Sequence, residues 1–425
     1  MARKLLFEVE LPGNPGSRHF SKLDTTSSSL NHLDVPKVVL ENLTKVFTAP
    51  RVESVKAVSG LSLQINSGER CVMVGPSGCG KSTTLRLIAG LEKPTSGRIL
   101  IGDRDATLLP PEDREVAMVF QSLALFPHLT AYENMAMGLR VRKVAERDIR
   151  SRIELASKTL EITDCLQRKP AGLSGGQRQR VSLGRALVRQ ARVLLLDEPL
   201  SNLDAPLRAQ MRRDLTTLHD QLGCTLIHVT HDQTEALSMG SRVAVLNQGR
   251  LQQIDEPLQV YHHPANQFVA GFIGVPSMNF FLGEIRILNE RLSFFELPPQ
   301  SLGKRSQIEG STSDSRPLLE YHPDAVMNAS MGEFINKPIL LGIRPEHLVP
   351  LKGSPPGEGI AHFMATVKRS EFLGAETLIH GATPHHNFTS RITNGPDPSV
   401  SGMERFGFDA SQARFFDPAN GSAIC

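Results

Sequence analysis

The residues Gly75-Pro76-Ser77-Gly78-Cys79-Gly80-Lys81-Ser82 fit the pattern G-x-x-x-x-G-K-[ST]. They stand where that pattern has physical meaning, after an apolar run at 71–74 and at the opening of a helical pattern over 82–89. Glycines let the backbone close until successive N–H groups converge on phosphate oxygens. The helix N-terminus behind them adds partial positive charge. Lys81 has the reach for β- and γ-phosphates, the Ser82 hydroxyl is suited to Mg²⁺, and Thr83 continues the same first turn. Such a loop needs a buried strand before it and a helix after it, so the surrounding chain is expected to be an α/β domain.

The rest of the first 273 residues agrees with that expectation. Leu40, Leu43 and Val46 suit a first strand, and Leu61, Leu63 and Ile65 alternate with polar residues in a second. Buried-strand patterns fall at 71–74, 116–120, 193–196 and 224–229, with helical patterns at 82–89, 145–160, 177–189 and 206–222. Strands alternating with helices predict a mainly parallel sheet. The texture changes near residue 274. Short β-like runs at 339–343, 366–367 and 377–379 then predict a small all-β domain, with a polar, irregular insertion or long loop at 300–332. Residues 1–36 are polar and are expected to form a flexible extension.

The run Val193-Leu194-Leu195-Leu196-Asp197-Glu198 is an apolar strand ending in two carboxylates. Beside a phosphate loop, Asp197 suits a direct or indirect Mg²⁺ role. Glu198 lies one residue further on, where a carboxylate can polarise a water that attacks the γ-phosphate.

Composition narrows the partners. Lys+Arg number 47 against Asp+Glu 44, a formal net charge of +3, which is far from a nucleic-acid footprint. No stretch approaches the roughly 18 apolar residues of a membrane helix, and the apolar run within residues 1–10 is too short for a secretory segment. The chain is expected in the cytoplasm, reaching a membrane only through a partner. Cys71, Cys79, Cys165, Cys224 and Cys425 are scattered and odd in number, as expected of free thiols. Cys79 stands apart because it lies in the phosphate loop beside Lys81.

At Leu173-Ser174-Gly175-Gly176-Gln177 the sequence resembles the ABC ATPase family, for which this pentapeptide is the signature motif. A capped helix start at Ser174 is compatible with the same residues. The resemblance implies that Ser174, Gly175, Gly176 and Gln177 bind the γ-phosphate of ATP held by a second copy, so that two copies meet head to tail around two nucleotides. It further implies that Gln121 is the Q-loop glutamine sensing Mg²⁺ and water near the permease. Asp204 belongs to the D-loop Ser201-Asn202-Leu203-Asp204, His231 is the switch histidine on the γ-phosphate, and Phe47 is the aromatic stacked on adenine. His228, three residues before His231, is expected to be a packing or surface histidine.

Some stretches are similar to a narrower group, the importer ATPases of the maltose and glycerol-phosphate type. These are 119–130, 197–205, and Leu341-Gly342-Ile343-Arg344-Pro345-Glu346-His347, with later strands expected over 372–376 and 416–421. The implied architecture is a P-loop ATPase domain at 37–273 with a helical subdomain near 123–172, followed by an oligonucleotide-binding-like β domain at 274–425. The implied activity is ATP hydrolysis with Mg²⁺ that powers uptake of a sugar or sn-glycerol-3-phosphate-like solute. The implied partners are a second copy, two membrane permease subunits and, indirectly, an external solute-binding protein. The implied place is the cytoplasmic face of the inner membrane. Polyamine, iron or sulfate importers share this core and are the nearer alternative. A chromosome- or repair-type ATPase would need a far longer insertion between Lys81 and Leu173. The turn Arg344-Pro345-Glu346-His347 is either a structural turn or a regulatory contact.

Overall fold

The computed structural model describes residues 37–49, 52–288, 291–299, 319–321, 331–351, 359–393 and 402–424. The expected extension at 1–36, most of 300–332, and Cys425 lie outside the described residues.

The chain opens with β1 (Val38–Ala49), β2 (Val52–Ile65), β3 (Arg70–Val74), α1 (Lys81–Ala89), β4 (Ser96–Ile101), β5 (Arg104–Asp105) and β6 (Val116–Val119). Helices α2 (Ala131–Val141), α3 (Glu146–Thr159) and α4 (Gly175–Leu187) follow. Then come β7 (Val193–Asp197), α5 (Ala205–Leu222), β8 (Thr225–Thr230), α6 (Gln233–Met239), β9 (Arg242–Asn247), β10 (Arg250–Asp255), α7 (Pro257–His262) and α8 (Gln267–Phe272).

The central sheet has the order β10-β9-β3-β8-β7-β6, parallel from β9 to β6, with β10 as an antiparallel edge. Its strands are apolar along their length because both faces are covered. Alternation sends Val72, Val74, Leu194 and Leu196 toward the helical side. Cys71, Met73, Val193, Leu195, Ile227 and Val229 go to the other side, against Leu85 and Ile88 of α1. That side is closed by a second, antiparallel sheet in the order β2-β1-β4-β5, which the sequence reading did not separate from the first. The expected helices and the expected strands of the central sheet fall within a residue or two of the observed ones, whereas β2 begins at Val52, well before Leu61. The helix α2, the strands β4, β9 and β10 and the short helices α6 to α8 were not anticipated. Thr130 and Glu133 carried a legible signal for α2, for they form a reciprocal capping box.

Beyond α8 the chain is all β: β11 (Asn279–Leu288), β12 (Arg291–Glu296), β13 (Leu319–Tyr321), β14 (Pro338–Ile343), β15 (Val349–Pro350), β16 (Ile360–Phe372), β17 (Glu376–Ala382), β18 (Asn387–Thr393), β19 (Gly402–Asp409) and β20 (Arg414–Phe416). They form two five-stranded sheets, β13-β12-β11-β14-β20 and β15-β19-β16-β17-β18. Phe281, Phe363, Phe388 and Phe406 fill the space between the sheets, with Phe388 and Phe406 edge to face at 4.9 Å.

Three expectations here need correction. Residues 372–376 are not a strand: β16 ends at Phe372, β17 begins at Glu376, and the intervening residues turn the hairpin, with Leu373 N–H donating to the Glu376 carbonyl at 2.8 Å. Residues 416–421 hold only the end of β20 followed by a turn, closed by Gly421 N–H on the Asp417 carbonyl at 2.7 Å. Within 300–332, residues 319–321 are a strand paired with β12 rather than loop. Backbone pairing, which leaves little trace in side-chain pattern over so few residues, decides all three.

Candidate functional site: a phosphate loop with its carboxylates

The phosphate loop leaves β3 and enters α1, as its motif requires. Space explains its glycines. A Cβ on Gly75 would stand 2.2 Å from the Leu246 carbonyl oxygen, and one on Gly80 2.2 Å from that of Ala57, with Gly80 at φ +101°. No other residue fits there without moving β9 or β2. Lys81 is 5% exposed, and its Nζ folds back over the loop to donate to the Gly75 carbonyl at 2.8 Å and the Pro76 carbonyl at 2.9 Å. The Cys79 thiol is buried beneath the loop, 3.6 Å from the same Nζ. None of the four described cysteines is disulfide-bonded.

The ends of the central strands bring the carboxylates to this loop. Ser82 Oγ donates to Asp197 Oδ1 at 2.7 Å, across 115 positions of chain. Burial, with Glu198 next to it, raises the Asp197 carboxyl above the usual carboxylate range, against the opposing Ser82 hydrogen bond, Arg86 and Lys81. A hydroxyl and a half-buried carboxylate with this electrostatic deficit suit a hard divalent cation.

Glu198 is held from two sides. Gln121 Nε2 donates to its Oε2 at 2.9 Å. His231 Nδ1 lies 3.2 Å from the same oxygen. The Glu198 backbone has φ +45°, and its N–H bonds to the Val229 carbonyl at 3.0 Å, so the β7 end turns sharply against β8. Ser201 Oγ donates to the Glu198 carbonyl at 2.9 Å, and Asn202 Nδ2 to the Gln121 carbonyl at 3.2 Å. The sequence reading passed over Asn202, although it lies inside the D-loop motif. Asp204 caps α5 by accepting the Leu207 N–H at 2.9 Å.

Ser174 and Gln177 form a reciprocal capping box at the start of α4, with Gln177 N–H on Ser174 Oγ at 3.2 Å and Ser174 N–H on Gln177 Oε1 at 3.0 Å. Gly175 is the first residue of the helix, and Gly176 packs against Leu207, where a Cβ would come within 3.0 Å. Among the described residues, no hydrogen bond joins this turn to Lys81, Ser82, Asp197 or Glu198. Phe47 is 41% exposed, with Lys45 Nζ 4.8 Å from its ring centroid. His228 is a packing histidine: it is fully buried, and its Nε2 meets the buried Glu235 carboxylate at 3.1 Å.

Arg114 was missed because it belongs to no motif. It is 3% exposed, and its guanidinium donates to the carbonyls of Leu87 at 2.6 Å, Ile88 at 2.9 Å, Leu109 at 2.8 Å and Thr107 at 3.2 Å. It thereby satisfies the C-terminal carbonyls of the helix whose N-terminus forms the phosphate loop.

The turn at Arg344 clasps the end of the first domain. Its buried guanidinium donates to the Ala270 carbonyl at 3.0 Å, the Tyr261 carbonyl at 2.7 Å and the Ile273 carbonyl, and it lies 4.1 Å from the centre of the Tyr261 ring. The Tyr261 hydroxyl donates to Glu346, and burial followed by that carboxylate pushes the phenol up to about 12.

A G-x-x-x-x-G-K-S loop between β3 and α1, with carboxylates at the end of a neighbouring parallel strand, defines a P-loop nucleoside-triphosphate site. An ABC transporter family pattern matches residues 58–201, and a TOBE domain pattern matches 341–416. The trehalose/maltose import ATP-binding protein MalK of Thermococcus litoralis is 43% identical over 87% of this chain and 96% of its own. The sn-glycerol-3-phosphate import ATP-binding protein UgpC of Burkholderia cenocepacia is 42% identical over 85% and 93%. The sulfoquinovosyl glycerol transport ATP-binding protein SmoE of Agrobacterium fabrum is 41% identical over 91% and 99%. The chain belongs to the ABC transporter ATP-binding protein family, and its first domain is an ATP-binding ATPase. Among the described residues no helix is long and apolar enough to cross a membrane.

Proposed function

We propose that this chain powers import of a sugar or sn-glycerol-3-phosphate-like solute by hydrolysing ATP at the Lys81–Glu198 site. The observation that carries the hydrolytic reading is the convergence of Gln121 and His231 on one oxygen of Glu198 beside the Ser82–Asp197 contact. The solute class is supported by the names of the relatives. Residues 37–273 are the ATPase domain, 123–172 its helical subdomain and 274–425 the β domain.

Lys81 exchanges its two loop carbonyls for β- and γ-phosphate oxygens, at little cost because the side chain is already folded over the loop. Ser82 and Asp197, with Gln121 beside them, would hold Mg²⁺, which would supply positive charge against the phosphates. Glu198 takes up the proton of a water whose oxygen bonds to the γ-phosphorus as the bond to ADP breaks. His231 steadies the γ-phosphate, and Gln121 orients Glu198. Phe47 stacks on adenine. The start of α4 at Ser174–Gln177, where Ser174 is exposed, faces the γ-phosphate of a second copy, and the Ser174 hydroxyl, which accepts from Gln177 N–H, can donate its own proton to that anion.

The two copies work from the cytoplasmic face of the membrane beneath two permease subunits, and a solute-binding protein delivers the solute from outside. A cavity of about 500 Å³ next to Gln121, lined by Leu91, Phe120, Leu123, Met137, Val141 and Arg185, supports a permease contact there.

Uptake of labelled maltose, trehalose, glycerol-3-phosphate, spermidine and ferric iron by cells lacking the gene, complemented with wild type or Glu198→Gln, tests the reading. Uptake of a sugar or glycerol-3-phosphate restored by wild type alone supports it. Restoration of spermidine or iron uptake alone replaces the solute class, and no dependence for any solute removes it.

A further inference from the structure

Side chains at the start of the helix that follows His231 tie it to three other parts of the molecule. Asp232 caps α6 by accepting the N–H groups of Thr234 at 2.7 Å and Glu235 at 3.2 Å, and it lies 3.6 Å from Arg208 of α5. Glu235 meets His228 on β8, with both side chains buried. Those two ties stay inside the ATPase domain. The third leaves it: Gln233 Oε1 accepts the backbone N–H of Gly274 at 2.7 Å.

Gly274 sits where the ATPase domain passes into the β domain, and its geometry is tightly held. It has φ +113°, and a Cβ there would stand 2.8 Å from Arg344 Nη1. Arg344 comes from the end of β14 and grips the preceding residues through the Ala270 and Ile273 carbonyls. Direct contacts therefore run from Arg344 to residues 270–274, from Gly274 to Gln233, and along two peptide bonds to His231. The His231 side chain is half exposed, and no residue besides Glu198 has a described polar contact with it. Besides the Glu198 contact, the backbone on either side of His231, with Asp232 N–H donating to Thr230 Oγ1 at 3.0 Å, sets where the imidazole stands.

We propose that Gln233 is a positioning residue for His231, and that the β domain sets the ATPase rate through Arg344, Gly274 and Gln233. This rests on the reading of His231 as the γ-phosphate contact. A shift of the β domain, whatever partner causes it, moves the 270–274 segment with Arg344. The Gln233 amide then carries the shift to the start of α6. Loss of the Gln233 acceptor frees α6 on that side while the Asp232 and Glu235 ties hold the fold.

The test is steady-state Mg-ATP hydrolysis by the full chain, with melting temperature and amide exchange measured on every variant. Gln233→Leu keeps the volume and removes the acceptor; Gln233→Asn keeps the amide and shortens its reach. Both are expected to lower kcat roughly 10- to 100-fold with KM for ATP within about twofold of wild type, the scale of a small misplacement at a reacting centre. Gln233→Glu retains an acceptor and is expected to recover most of kcat. Exchange at Gly274 and over 230–235 should quicken in the Leu and Asn variants but not in Gln233→Glu. In an Arg344→Lys background the effect of Gln233→Leu should shrink, because both act on one chain of contacts.

Wild-type kcat in both Gln233→Leu and Gln233→Asn overturns the proposal, as does a Gln233→Glu variant as slow as they are. Full additivity with Arg344→Lys removes the β-domain part. His231→Ala separates the two readings. If His231→Ala is inactive while Gln233→Leu turns over normally, the relay alone fails. If His231→Ala turns over normally, the role of His231 fails, and the relay with it.

Discussion

Replacing Glu198 by glutamine alters one atom in a site whose neighbours accept either group. Glu198 Oε2 takes a hydrogen bond from Gln121 at 2.9 Å and lies 3.2 Å from His231 Nδ1. A glutamine can keep its amide oxygen at the Oε2 position, where it still accepts from Gln121 and faces His231 Nδ1. The backbone at φ +45° costs the same for both residues. Stability should therefore change by less than about 1 kcal/mol. The carboxylate charge that draws a proton from water is lost, and positioned general-base contributions run to about 10²–10⁴-fold. At about 1.36 kcal/mol per decade that is roughly 2.7–5.4 kcal/mol of barrier. Phosphate release and ATP binding, measured on the same Glu198→Gln preparation, should give kcat down by at least about 10²-fold with ATP affinity within a few-fold of wild type. Hydrolysis within about threefold of wild type, in protein that melts normally, would refute the assignment of Glu198 as the group that activates water.

Lys81→Ala removes the cation folded over the phosphate loop and should weaken ATP binding by roughly 10- to 100-fold, the worth of a charge-assisted hydrogen bond; unchanged affinity in a fluorescent-nucleotide titration would sink the loop's role. Arg114→Met keeps apolar volume but takes one donor from each of four carbonyls, of which Leu87 retains the Gly90 N–H, and should cost about 3 kcal/mol in chemical denaturation after the arginine's own desolvation is set against the bonds lost. A loss below about 1 kcal/mol would show that water replaces the guanidinium. His219 is buried and His347 half-buried, and desolvation holds both imidazoles below their ordinary value. The unfolded chain therefore takes up protons first as pH falls. Stability is present above about pH 6.5 and is lost as pH drops through that value toward the folded-state values. Melting temperature should decline from about pH 8 to about pH 5, and less steeply in the double variant His219→Gln, His347→Gln. Equal slopes would remove these residues as the cause.

Much of the site was legible because its parts are local. The phosphate loop is contiguous, and its glycines answer to backbone crowding at Gly75 and Gly80. The capping box at Ser174 and Gln177 is a spacing of three residues. The strand ending in Asp197 and Glu198 announces itself by an unbroken apolar run. His228 and His231 were distinguished only by their places in the motif series, and burial then separated them, one sealed against Glu235 and the other half exposed. The β domain was read more coarsely. Its hairpin at 372–376 and the end of β20 are set by which backbone groups pair, and a few residues of sequence do not encode that choice.

Arg344 illustrates the limit. Its sequence neighbourhood was compatible with a structural turn or a regulatory contact. Three carbonyls from α7 and the end of α8, and the face of Tyr261, decide for a clasp between the domains. Arg114 and Gln233 carried no pattern at all, since each earns its partners through elements distant in the chain.

By itself the sequence determined the class of chemistry, because phosphate binding needs a short loop, one lysine and one hydroxyl in unbroken order. The fold alone decided how catalytic groups meet. Gln121 and Glu198 are 77 positions apart and Ser82 and Asp197 are 115 apart, and each pair closes to hydrogen-bonding distance. That closure comes from parallel strands aligned side by side, so that their C-terminal ends, wherever they fall in the chain, open onto the same edge of the sheet.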